Sequence, residues 1–276
     1  MAPHKDNRYH NLKLAFERHH KGITEAFEQK HKTVLKSIKR RGLSTAGALI
    51  LTSAILAGSP GEPKNDKVRI TRQKTAEKSK NSALIKHILH TKSALTQDEE
   101  KEITKALSSS FNLPLTEELD GNRLNEIYGY TGAEQHLYRW PGDNLHQHDL
   151  QQSGIAPLKG AFGYFDNAEQ EKYYVAIQLH ELPNWNSEWV TLKPWYKFRK
   201  VFVYNPDNGK GVIAVIGDSG PSKYTGKTFG GSPEVMNYLE RVDGRQKGKV
   251  VILFVDDPSN QFALGPIDPM SSLAYK

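Results

Sequence analysis

Branched apolar residues alternate at Val201 and Val203 and run on from Val212 to Ile216, a pattern that predicts two β-strands. Between them, Asn205-Pro206-Asp207-Asn208-Gly209 has the composition of a tight turn, so the pair reads as a hairpin. Where the second strand ends, Gly217-Asp218-Ser219-Gly220-Pro221 sets one carboxylate between residues that permit unusual backbone angles, and Pro221 fixes the exit. Two further stretches precede the hairpin: Ala161-Phe162-Gly163-Tyr164-Phe165 opens the β-rich part, and YYVAIQLH over 173–180 is its next strand. Helices carry different signals. Thr96-Gln97-Asp98-Glu99 is a capping box, Ile103, Ala106 and Leu107 supply the apolar face, and Pro114 bars continuation. Ser232-Pro233-Glu234 combines a capping hydroxyl, a first-turn proline and an acid that complements the helix dipole, predicting a helix over 232–241.

The N-terminal part follows another period. Ala15-Phe16-Glu17-Arg18-His19-His20-Lys21-Gly22-Ile23 recurs as Ala26-Phe27-Glu28-Gln29-Lys30-His31-Lys32-Thr33-Val34, so Leu12, Ile23 and Val34 share one stripe of a basic amphipathic helix. Residues 43–58, LSTAGALILTSAILAG, form an uncharged apolar run at the short end of what spans a bilayer. Lys36, Lys39, Arg40 and Arg41 precede it, which predicts a cytoplasmic N-terminus and an exported remainder. The charged stretch before the run is too long for an ordinary signal peptide, so an uncleaved anchor over 43–59 is expected. The expected organisation is a repeat helix over 1–42, the anchor, a polar linker over 60–92, a helical and loop buttress over 93–159, and a β domain over 160–276.

Composition sharpens parts of this picture. Of 276 residues, 37% are hydrophobic, and the formal net charge of +7 arises mostly ahead of Gly42. The basic excess therefore points to a lipid surface and argues against nucleic acid as a partner of the β domain. With no cysteine, the chain has no disulfide, thiolate nucleophile or acylated cysteine.

The ordered series of a strand, Asn-Pro-Asp-Asn-Gly-Lys (205–210), an apolar strand, Gly-Asp-Ser-Gly-Pro (217–221), Thr-Gly-Lys (225–227) and Ser-Pro-Glu-Val-Met (232–236) resembles the double-psi β-barrel domain of expansins, rare lipoprotein A and the barrel-type lytic transglycosylases. The similarity runs from about residue 160 to 257. It implies an α+β protein whose C-terminal domain is a six-stranded double-psi β-barrel, preceded by helical segments and the membrane anchor. It further implies an exported, membrane-tethered protein, a single-pass protein of the cell membrane with its C-terminal domain extracytoplasmic, that binds or modifies peptidoglycan or another cell-wall polysaccharide without a cofactor. In the catalytic version Asp218 is the acid, with His180 or Tyr224 hydrogen-bonded to it and no second carboxylate forming a hydrolytic pair. Thr225 and at least one of Trp185, Trp189 and Trp195 would hold sugar. One departure favours the alternative, a non-catalytic envelope interaction protein. Gly230-Gly231-Ser232 stands where many members open a helix with Asp-Leu-Ser.

Residues 119–150 are dense in polar and aromatic side chains. Glu134, His136, His146, His148 and Asp149 are of ligand type for zinc, but their spacing fits no zinc motif. No metal is assigned, and a buttress in which Glu134, His136 and Arg139 satisfy one another is the expected arrangement.

Overall fold

The structure, a computed structural model, describes residues 80–89, 94–241 and 248–267. The expected repeat helix over 1–42 and anchor over 43–59 lie outside these residues. Among the described residues, no helix is long and apolar enough to cross a membrane.

The protein is α+β, built on a closed barrel of six strands. Two helices come first: α1, described over 80–89, and α2, Gln97–Phe111. The capping box at the start of α2 forms as expected, with Thr96 and Glu99 satisfying each other's backbone N–H groups, and Asn112 closes the helix in the left-handed conformation. Residues 80–89 fall within the stretch expected to be linker, yet they are helical and bury Ile85, Ile88 and Leu89. Three short strands follow: β1, Leu115–Thr116, and the pair β2, Glu118–Leu119, and β3, Asn122–Arg123.

The barrel strands are β4 (Tyr128–Ala133), β5 (Tyr174–Ile177), β6 (Lys200–Tyr204), β7 (Gly211–Ser219), β8 (Phe229–Gly231) and β9 (Lys249–Val255). Around the barrel the order is β4, β8, β5, β7, β6, β9 and back to β4. The β4–β8 and β5–β7 pairs are parallel and the remaining four antiparallel. β1 extends the sheet from β9, and β10 (Gly265–Ile267) extends it from β7. The first barrel strand thus comes from residues 128–133, earlier than the start near residue 160 that the sequence suggested.

β6, β7 and β9 read as nearly unbroken apolar runs because both of their faces are covered. Phe202, Ile252 and Phe254 are fully buried. Burial of a side chain of this size contributes about 1.5–3 kcal/mol. Outside the barrel, α2 sets Phe111 against Phe202, with ring centroids 4.6 Å apart. The aromatic run from Trp185 proves to be a helix, α4 (Trp185–Tyr196), preceded by the short α3 (Ala168–Lys172). Tyr196 and Leu192 of α4 join the core, and the Trp195 ring meets Phe254 edge-on at 5.6 Å. The helix expected after Ser232 is α5 (Pro233–Tyr238), its N-terminus capped by the Ser232 hydroxyl accepting from the Val235 N–H.

Candidate functional site

Asp218 owes its direction to a break in the β5–β7 ladder. Val175 faces Ile216 but Ala176 faces Asp218, so Gly217 is an extra residue on β7, a β-bulge. Val175 and Ile216 belong to the main core, whereas Tyr174, one residue before, packs outside with Val215, Leu137 and Phe165. The bulge turns Asp218 onto the same outer face as Ala176 instead of into the barrel. Gly217 is required there, since a Cβ would stand 2.6 Å from that of Tyr174.

From Asp218 the register runs across adjacent strands through Ala176 and Gly230 to Gly132. This row has no side chain larger than a methyl group beside the carboxylate. Asp218 Oδ1 accepts two backbone hydrogen bonds, from Ala161 N at 2.6 Å and Ser219 N at 2.8 Å. Oδ2 accepts none among the described residues. Burial raises the Asp218 pKa above the usual carboxylate value, and the two N–H donors only partly oppose it.

A second carboxylate borders the same row. Glu134, just past β4, lies over Gly230, where any Cβ would overlap it, and its Oε1 accepts from Lys227 Nζ at 2.9 Å. Burial raises its pKa, Lys227 pulls it down, and the charge of Asp218 pushes it up again. Where no second carboxylate was expected to form a hydrolytic pair with Asp218, Glu134 stands close enough to feel its charge. The expected partnership of Glu134 with His136 and Arg139 is corrected, because each of the three has other partners.

The loop after β7 is held from within. Gln178, buried at the end of β5, donates to the carbonyls of Pro221 and Lys227, both at 2.9 Å, so one side chain closes both ends of the loop. Lys223 pairs with Glu181 at 2.5 Å, and His180 Nε2 lies 3.5 Å from the same Glu181. His180 and Tyr224 are not partners of Asp218: His180 stays with Glu181, and Tyr224 stands 91% exposed at the loop tip. Thr225 spends its hydroxyl locally, donating to the Ser222 carbonyl and accepting from Lys227 N. Of the tryptophans, Trp189 is 51% exposed on α4, while Trp185 and Trp195 are partly buried against the core. The Trp195 indole donates to Asp120 and lies under the Arg199 guanidinium, which marks it as packing.

Behind Glu134 the polar segment does form a buttress, with partners the sequence did not reveal. Asp143 accepts the Arg139 side chain through both oxygens, at 2.8 and 2.6 Å, and Arg139 holds its carboxyl down at about 2 against the effect of burial. Glu171 of α3 faces both His136 and His148, whose rings lie 4.1 Å apart. Burial works against protonation of both histidines; Glu171 outweighs it at His136, which is raised, and fails to at His148, which is lowered. One potential ligand atom from each of His136, His148 and Glu171 lies within 4.8 Å of the others. The sequence singled out both histidines but not Glu171, whose only signal is its place in a short Asn167-capped helix.

Compared with family models, with curated proteins and with solved structures, the chain finds no match.

Proposed function

We propose that the outer face between Asp218 and Glu134 binds a cell-wall polysaccharide and cleaves it by acid catalysis. The observation that carries this reading is the bulge at Gly217, which takes a carboxylate out of the core pattern, sets it half-buried beside a strip of small residues and leaves Oδ2 without a partner among the described residues. A strand end bent in this way serves to aim a side chain. Among the described residues no cation pairs with Asp218, and its burial favours the protonated form, so Oδ2 is the atom that would pass a proton to a glycosidic oxygen. Burial raises the Glu134 pKa as well, but Glu134, unlike Asp218, has the Lys227 ammonium to stabilise its carboxylate, and this pairing suits it to stabilise positive charge developing on the sugar or to activate an attacking hydroxyl. The choice of polysaccharide rests on the likeness of the 205–236 series to wall-active double-psi barrels. In this reading residues 43–59 tether the barrel outside the membrane.

Isolated peptidoglycan sacculi incubated with the purified protein should release soluble fragments, and Asp218→Asn should abolish the release. Equal products from the variant would end the catalytic reading. Retention on sacculi without any release, weakened by substitution of Trp189, would instead establish the binding module, a reading favoured by the exposed Trp189 and by the absence of an Asp-Leu-Ser acid at 230–232.

A further inference from the structure

The buried group behind Glu134 gathers two imidazoles around one carboxylate. His136 Nε2 lies 2.5 Å from the Leu150 carbonyl, an acceptor, so that nitrogen carries a hydrogen. Its Nδ1 then faces Glu171 Oε1 at 2.9 Å. His148 repeats the arrangement only in part: its Nδ1 lies 3.2 Å from Glu171 Oε2, while its Nε2, 3.3 Å from an Asp143 Oδ2 already fixed by Arg139, makes no hydrogen bond among the described residues. Two imidazole Nδ1 atoms thus converge on the two oxygens of one carboxylate, all with 0 to 2% side-chain exposure. Glu171 Oε1 also accepts from the Leu137 N–H at 3.1 Å, so the carboxylate is fixed in place between the two rings.

We propose that His136, His148 and Glu171 form a structural site for one divalent transition-metal ion, zinc fitting best. Imidazole and carboxylate are among the donors zinc takes, and metal-bound histidines characteristically direct the other ring N–H at a carbonyl or carboxylate; the Leu150 carbonyl receives that of His136, and Asp143 Oδ2, 3.3 Å away, is the carboxylate nearest that of His148. The Nδ1 to oxygen separations of 2.9 and 3.2 Å approach the edge of about 3.3 Å that ligands at zinc distances span. An independent observation points the same way. Among the described residues Glu234 Oε2 is buried without a hydrogen-bond partner, and Glu234 lies close enough to feel the charges of His136 and Glu171. A cation held by the group would offset the charge of this acid as well as that of Glu171. Because the site is sealed, the ion would be captured as the chain folds, tying the segment after β4 to α3.

The test is independent of the polysaccharide reading, since it needs no activity. The full chain, purified without chelator, should carry about one zinc per molecule by elemental analysis. Refolded from metal-free denaturant, it should unfold about 5–10 °C lower than protein refolded with zinc. Cobalt in place of zinc should give the intense visible bands of a tetrahedral site. His148→Gln should lose the ion, and a His19→Ala/His20→Ala variant should keep it, which separates the site from histidines of the N-terminal repeat. Equal unfolding temperatures with and without zinc, or zinc retained by a folded His148→Gln protein, would overturn the proposal. Should His148→Gln fail to fold, the comparison of wild-type protein refolded with and without zinc decides alone.

Discussion

Glu134 lies directly over Gly230, so the carboxylate occupies the space that any larger residue at 230 would claim for its own side chain. The atoms displaced are Oε1, Cδ and Cγ of one side chain and not backbone, so Gly230→Ala should still fold, at a cost of about 1–3 kcal/mol as the largely buried Glu134–Lys227 pair opens. It should push Glu134 off Lys227 and out of the row that leads to Asp218. The expected outcome is a lowered but cooperative unfolding transition with a loss of polysaccharide turnover comparable to that of Glu134→Gln. A fully active Gly230→Ala protein would show that the position of Glu134 does not matter.

Asp218 should be a residue the fold pays to keep. Its folded pKa is raised above the unfolded value, so its titration favours folding while it is protonated, below about pH 4, and that contribution is lost as pH rises through the folded pKa. At neutral pH the ionised carboxylate opposes folding. Asparagine can still accept from Ala161 N and Ser219 N, so Asp218→Asn should unfold at the same or a higher temperature than wild type at pH 7. The advantage should shrink as pH falls toward 4. Calorimetry across that range checks it, and a destabilised variant at pH 7 would mean the charge is held by groups other than these two donors.

The opposite sign holds at Asp257. Burial pushes its pKa up, but Lys200 at 2.6 Å and the N–H groups of Gln261 and Phe262 prevail, so the folded value is depressed. Its stabilisation is present above the unfolded pKa and disappears as pH falls through the folded one. Asp257→Asn should therefore cost about 1–3 kcal/mol at pH 7, measured by denaturant unfolding, with the penalty vanishing in acid.

In the core, Phe202→Ala removes a fully buried ring that touches Phe111 and Tyr204, and should cost about 3–5 kcal/mol. A cost below about 1 kcal/mol would mean that α2 does not pack on the barrel as described.

The topology read from residues 36–59 has its own measurement. Protease added to intact cells should remove the barrel and spare the N-terminal repeat; the reverse pattern, or a protein absent from the membrane fraction, would refute the tether.

What the sequence made legible was local. The β6–β7 hairpin showed in its branched residues and in the Asn205 to Gly209 turn, and both helix starts showed in their capping residues, because each signal lies within a few positions. β4 stayed hidden: Gly129 and Gly132 interrupt its pattern, and its partners lie far along the chain. Glu134 was visible only as one polar residue among many, since its meaning depends on a register that sets Gly230 beneath it. The aromatics from Trp185 suggested a binding rim, but their helical spacing puts Tyr196 in the core and leaves Trp189 in solvent. Asp218 was singled out for its loop chemistry; the bulge that aims it is a mismatch between two strands and has no signature in either alone.

The closure of the barrel also dictates when the site can exist during synthesis. β4 finds both of its neighbours, β8 and β9, roughly a hundred residues or more later in the chain, so Glu134 emerges from the ribosome long before anything can hold it. Until residues 249–255 arrive, β4 and β6 each present an unpaired edge. Up to that point the nascent barrel is at most an open sheet with two free edges, and its closure waits for one late strand.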